Sequence, residues 1–174
     1  MTIDLAVAVE ADDHIRGAGG GRQLVVYGDF ECPYTAAAMR DITHLLAGGA
    51  TFEVVFRHFP LRSIHPHAQA ASEAAEATAR QGRFWEMHDL LFRNQRRLES
   101  ADLRRYAEEL GLDMERFELD LADGANKVRI ARDLKSGLQS GVDGTPSLYI
   151  DGGRYWGPRD LATLGQALDP ASAA

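Results

Sequence analysis

The chain has 174 residues, 45% of them hydrophobic and 26% charged, with a net charge of −7. That length suits one domain with a real core, and the negative balance argues against nucleic acid or an anionic membrane surface as a partner. No stretch reaches the ~18 apolar residues a membrane span needs. The first ten residues lack the basic start of a signal peptide, and the lone cysteine, Cys32, allows no internal disulfide. These features point to a cytoplasmic protein without membrane insertion.

In chain order, residues 1–22 read as a loosely ordered lead-in ending in the flexible run Gly17-Ala18-Gly19-Gly20-Gly21. The remainder, 23–170, reads as a single domain, and 171–174 as a frayed tail. Gln23-Leu24-Val25-Val26-Tyr27 is the first strand. A helix follows from Pro33 to about Leu46; proline suits a first helical turn, and Ala36, Ala37, Ala38 and Met39 are strong helix formers. Gly48-Gly49 stops it. Thr51 to His58 is β-rich and gives a second strand. Strand, helix and strand over ~35 residues make a right-handed parallel βαβ unit.

A helical block runs from about 62 to 140. Its segments are Pro66–Gln81, Phe84–Asn94, Ser100–Leu110 with Ser100 as N-cap, Asp113–Leu121 and Ala125–Gln139. Ser147-Leu148-Tyr149-Ile150 and Arg154-Tyr155-Trp156 then flank Asp151-Gly152-Gly153, a hairpin signal. Arg159–Leu168 is a closing amphipathic helix. The order βαβ, helical block, ββα is an α/β thioredoxin fold with an all-helical insertion: a mixed sheet of about four strands with helices on both faces. No internal repeat interrupts it, and no heptad seam or spare apolar stripe suggests assembly, so a monomer is expected under reducing conditions.

Cys32 stands where the first strand gives way to the first helix. A thiol there faces the free N–H groups and positive dipole end of the helix, which favour its thiolate. The reading is an exposed or half-exposed nucleophile, with Pro33 opening the helix behind it. Three residues on stands Thr35, whose hydroxyl could hydrogen-bond the sulfur. Tyr34, between them, is a candidate substrate contact. The turn Gly141-Val142-Asp143-Gly144-Thr145-Pro146 reaches the same end of the sheet in this fold. A cis Thr145–Pro146 bond there, cheap only at X-Pro, would bare a backbone edge for an extended peptide. Asp29 and Glu31 flank the cysteine and oppose its ionisation. His58, His65, His67 and His88 are too scattered for a local metal-ligand motif, and His88 falls on a packed face with Trp85 and Phe92. Glu73, Glu76, Glu86, Glu108 and Glu109 read as solvated helix faces or ion pairs.

Six segments in order carry a resemblance: Asp13-His14-Ile15-Arg16-Gly17, Tyr27-Gly28-Asp29-Phe30-Glu31-Cys32-Pro33-Tyr34, Phe56-Arg57-His58-Phe59-Pro60-Leu61, His65-Pro66-His67-Ala68, Gln81 to Asp89, and Gly141 to Pro146. Together they resemble the DsbA-like thioredoxin-fold proteins, in particular the branch also found as a C-terminal domain of NhaA-type Na+/H+ antiporters. The family's motif is Cys-Pro-x-Cys, a nucleophile and a resolving cysteine. Cys32 and Pro33 match it, and Thr35 departs from it.

The resemblance implies a thiol–disulfide oxidoreductase acting through one sulfur. Cys32 would be the nucleophile, Thr35 its hydroxyl neighbour, and Tyr34, Thr145 and Pro146 the substrate dock. The partner would be a protein or small-molecule thiol or disulfide. No cofactor is implied beyond a glutathione-type thiol as co-substrate. Two rivals stand beside it. One is a non-catalytic peptide- or protein-binding module that keeps the proline edge. The other is a glutathione-dependent transferase or isomerase of the same architecture, which usually carries Ser at the helix start.

Overall fold

A computed structural model describes residues 4–173. A five-stranded sheet has the order β1(His14–Gly17), β3(Phe52–His58), β2(Arg22–Gly28), β4(Ser147–Ile150), β5(Gly153–Tyr155). β2 and β3 run parallel, with Arg22 opposite Phe52 and Gly28 opposite His58. The other pairings are antiparallel. α1(Pro33–Ala47) crosses between β2 and β3, α2(Ala68–Ala79) through α6(Ala125–Gln139) form the insertion, and α7(Leu161–Leu168) closes the fold.

β2 sits at the centre because it can be buried on both faces. Its residues Leu24 to Gly28 form an unbroken buried run, as expected of a strand covered from both sides. Leu24 and Val26 face a cluster with Val54, Phe56, Met39, Ile42 and Leu164. Val25 and Tyr27 face a second, smaller cluster with Val55, Phe59, Val142 and Tyr149. Phe30, Phe52 and Phe56 are wholly buried, each contributing about 2–3 kcal/mol. On the smaller face α6 comes very close to the sheet. A Cβ on Gly137 would lie 2.7 Å from Phe59 Cδ2 and 3.0 Å from Tyr27 Cδ1, so only glycine lets the helix settle there. The hairpin turn uses Asp151 at φ 49° and Gly152 at φ 84°, the two positive values a type I′ turn demands.

Several expectations need correction. The lead-in, from residue 4 onward, is not loose. His14–Gly17 adds a fifth strand at the sheet edge, with Ile15 opposite Val55. The segment before it is clasped by Arg57, whose guanidinium donates to Val7 O and Ala8 O at 2.8 Å each. The rest of that guanidinium takes Asp13 and the Tyr27 hydroxyl. Residues 1–3 lie outside the described residues. Ser100 is the first residue of its helix rather than the cap; Glu99 precedes it in an extended conformation with no capping side-chain bond. Of the two readings for Glu76, solvated face or ion pair, only the second holds: it is buried against two histidines. The final segment Pro170–Ala173 is one 3-10 turn.

Candidate active site

β2 delivers the chain to the site at Gly28, whose missing side chain leaves room for the Phe56 ring; an added Cβ would run into it. A turn follows, closed by Cys32 N donating to Asp29 O at 3.1 Å. Cys32 is the N-cap of α1, with φ −75° and ψ 120°, and Pro33 is the first helical residue. Ala36 N returns to Cys32 O at 3.1 Å. The Tyr34 and Thr35 amides belong to the first turn and have no intrahelical acceptor. No acidic residue occupies that turn.

The sulfur's hydrogen bond is to the backbone: Sγ lies 3.3 Å from Thr145 O and donates to it as a thiol. The Thr145–Pro146 bond is cis. The loop carrying it is fastened by Arg154 of β5. Its guanidinium bonds Gly141 O, Asp143 Oδ1 at 2.6 Å and Ser147 Oγ at 3.3 Å. The Arg154 bond holds the Asp143 carboxyl below the usual carboxylate range. The same guanidinium lies 4.0 Å from the centre of the exposed Trp156 ring.

Two expectations about the site are revised. Cys32 is 4% exposed, not half-exposed, though it lies outside both core clusters. It is covered because the Thr145 loop meets its sulfur and Gln95 ties down its backbone. Gln95 Nε2 donates to Phe30 O and Cys32 O, each at 2.9 Å. Thr35 is wholly buried, and its hydroxyl turns to Asp29 N at 3.5 Å instead of to the sulfur. Tyr34 stands out at 73% exposure. Gln95 was not signalled by sequence, because it lies in an irregular segment after α3(Phe84–Arg93), where no periodicity marks a function.

The flanking acids are held by a single stretch of chain. Asp29 Oδ2 accepts from Leu61 N and His65 Nδ1, both at 2.8 Å, and Oδ1 accepts from Glu31 N at 2.7 Å. Glu31 accepts from His67 N at 2.7 Å and from His67 Nδ1 at 3.0 Å. His67 is itself the N-cap of α2.

Two further histidine groups lie beneath. His14 Nε2 and His58 Nε2 both bond Glu76 Oε1, at 2.6 and 2.7 Å. Burial alone would raise the Glu76 carboxyl, but these bonds hold it well below the usual range. Sequence reasoning missed this cluster because it joins β1, β3 and α2. A tetrahedral metal ~2.0–2.1 Å from each ligand would keep the ligand atoms roughly 3.3 Å apart. A ligating histidine also needs a partner for its other nitrogen, and buried His58 Nδ1 has none. The arrangement fits two imidazoles sharing a carboxylate, not a metal centre. His88 donates through Nδ1 to Asp89 Oδ1 at 2.8 Å, yet burial pushes it down to about 4, so it is neutral near pH 7.

Comparison with known proteins decides the family. A family model described as thioredoxin matches residues 12–170. The chain belongs to this thioredoxin family. Solved structures that share its fold include DsbA-type proteins. A thioredoxin-like oxidoreductase from Silicibacter pomeroyi superposes with a TM-score of 0.83 at 25% identity, covering 95% of each chain. The thiol-disulfide exchange protein alpha-DsbA2 from Wolbachia pipientis gives 0.81 at 20% identity, covering 91% of this chain and 87% of that one. Among curated relatives, a Na(+)/H(+) antiporter NhaA 3 of Salinispora tropica is 47% identical over 173 residues, 98% of this chain. The NhaA 1 protein of Mycolicibacterium gilvum is 42% identical over 161 residues, 90% of this chain. The chain spans about a quarter of the length of these relatives, 26% in both cases. No helix among the described residues is long and apolar enough to cross a membrane.

Proposed function

We propose that this domain exchanges thiols and disulfides through Cys32 alone. The observation that carries the reading is the placement of Cys32 Sγ at the start of α1, 3.3 Å from Thr145 O. Deprotonation removes the bond to Thr145 O, and the free amides of Tyr34 and Thr35 then offer the thiolate its donors. The thiolate attacks one sulfur of an incoming disulfide R–S–S–R′. A Cys32–S–S–R bond forms, the S–S bond of the substrate breaks, and R′–S⁻ leaves. Thr35 has no sulfur with which to resolve this adduct. A second thiol, R″–SH, attacks it, releases R–S–S–R″ and returns Cys32 as the thiol. Disulfide partners are exchanged with no net oxidation, and a glutathione-type thiol suits the second step.

The exposed Tyr34 and the Thr145–Pro146 segment border the sulfur and are the substrate contacts on this reading. A single unpaired cysteine suits a cytoplasmic, reducing setting and a monomer there. The similarity to antiporters makes an association with a transporter a natural role for such a domain.

The test is incubation of the reduced protein with glutathione disulfide, read by intact mass. Wild type should gain one glutathionyl group and lose it on addition of free thiol; Cys32→Ser should gain none. Catalysed turnover of a disulfide without any added thiol would overturn the single-sulfur mechanism. Wild type inert to disulfides would leave the non-catalytic binding module as the reading.

A further inference from the structure

Asp29 and Glu31 immediately precede Cys32, and each ends on a histidine from one short segment, residues 61–67. We propose that this segment is a charge shield for the thiolate, with His65 and His67 as positioning residues. The inference rests on the single-sulfur reading and names what tunes that sulfur.

Two helices begin at this end of the sheet, and each offers a positive N-terminus. A glutamate next to the thiol would compete for the start of α1, because an anion there is as well placed as a thiolate. Glu31 does not go there. Its Oε2 takes the backbone N–H of His67, the N-cap of α2, and its Oε1 takes the His67 ring. The carboxylate is therefore spent on the second helix, and the first turn of α1 is left without an acid.

Asp29 is handled by donors. Its side chain has no solvent exposure, so water does not screen it. Leu61 N, Glu31 N and His65 Nδ1 all donate to it. Without the imidazole, one buried anion within a turn of the sulfur loses its only side-chain donor. Like charge at such range disfavours a second anion. Other ionisable groups near the cysteine are the exposed Tyr34 and, on the loop that carries Thr145, Asp143, which is paired to Arg154.

Bimolecular alkylation by iodoacetamide reads the effect directly. The Cys32 sulfur displaces iodide, a C–S bond forms, and the thiol proton passes to buffer. His65→Ala should slow alkylation at pH 7 by about three- to tenfold and move the rate–pH profile to higher pH. Asp29→Asn in the His65→Ala background should restore the rate, because it deletes the buried charge left without its side-chain donor. His67→Ala should slow it by less, since the backbone N–H still holds Glu31, and Glu31→Gln should restore that loss too. Far-UV circular dichroism and urea midpoints would be measured alongside. A purely structural role predicts that the double variant is worse than the single.

A His65→Ala protein that folds and is alkylated at the wild-type rate would overturn the proposal. So would a double variant that stays slow. Should His65→Ala fail to fold, the His67→Ala and Glu31→Gln pair makes the same comparison, and a loss that Glu31→Gln does not restore would overturn the proposal there. Wild type that is alkylated normally yet refuses disulfides would sink the exchange reading and leave the shield standing. Wild type that resists alkylation altogether would overturn both.

Discussion

The Arg57 cluster and the Cys32 cluster are both buried, both polar and both tied to the same pair of central strands, yet they are finished to different degrees. Arg57 has all five N–H groups engaged: Nε and Nη2 on Asp13, Nη1 on Val7 O and the Tyr27 hydroxyl, Nη2 again on Ala8 O. At the other site the sulfur has one carbonyl neighbour, and the Thr145 hydroxyl is buried with no partner. A cluster built only to hold structure closes every bond, because an unmet buried polar group costs about 1–3 kcal/mol. A cluster built to receive another molecule keeps some open. Bond closure separates these two clusters, although it is no general rule of the fold: His58 Nδ1 and His88 Nε2 are also buried without a partner.

The closed cluster should be the costlier to break. Arg57→Ala would take both guanidinium bonds from the Asp13 carboxylate, whose side chain has no exposure, leaving it Glu10 N and the more distant Arg129, and would release the segment before β1. Removing one partner of such a pair costs about 3–5 kcal/mol, readable as a lowered urea midpoint. Asp13 adds a pH signature. Burial alone would raise its carboxyl, but the Arg57 bonds hold it below its ordinary value. Its contribution is therefore present above the unfolded value and fades as pH falls through the folded one. Asp13→Asn should weaken the protein near neutrality and leave it less sensitive to acid. Wild-type stability in Arg57→Ala would show that the cluster is not what fastens the segment.

His88 lies between the two cases: Nδ1 is bonded and Nε2 is buried without a partner. Its folded value of about 4 lies below the ordinary 6.5. Between those values the unfolded chain binds a proton that the folded chain refuses, so stability rises with pH across that window. The full effect is up to about 3 kcal/mol. His88→Leu should flatten the stability–pH curve between about pH 4 and 6.5. An unchanged slope there would mean His88 takes up its proton while folded.

How much of this was legible in sequence follows the range of each interaction. Cys32-Pro33 before a helix, the Asp151-Gly152 turn and the helical block all obey local rules, and their places in the fold followed from them. β1 did not, because four residues beside a glycine run become a strand only through pairing with β3, some forty positions away. The burial and partners of Glu76 were hidden for a related reason. α2 is so rich in alanine that its sequence shows no clear solvent face, and only His14 and His58 explain a buried acid there. At the site, the order of elements brought Cys32 and Thr145 together, but rotamers decided the rest. Thr35 turned to Asp29 N, and Gln95 arrived from a segment with no pattern to read.

A smaller effect tests the local geometry of α1. Thr35→Cys places a second sulfur three residues after Cys32 at a helix start, a spacing within the Cα range a disulfide accepts. Mild oxidant should remove both free thiols and lower the intact mass by two hydrogens. The variant should then oxidise reduced peptides, which wild type cannot do with one sulfur. If both thiols persisted, the start of α1 would not have the shape described for it.

The smallest expected stability change is also the most discriminating between open and closed polarity. Thr145→Val keeps the shape of the side chain and deletes a hydroxyl that has no bond to lose. Removing an unpartnered buried polar atom is neutral or slightly stabilising, so the urea midpoint should move by no more than about 0.5 kcal/mol in equivalent stability. If that hydroxyl is kept open for an arriving disulfide, the rate of glutathionylation should nevertheless fall, by about fivefold for one lost neutral hydrogen bond of ~1 kcal/mol. Alkylation by iodoacetamide, a small reagent that need not use the Thr145 segment, should stay within about twofold of wild type. A clear loss of stability would mean the hydroxyl has a structural partner after all. An unchanged glutathionylation rate would mean that the unpartnered Thr145 hydroxyl is not part of the dock, and that Pro146 and Tyr34 must carry recognition without it.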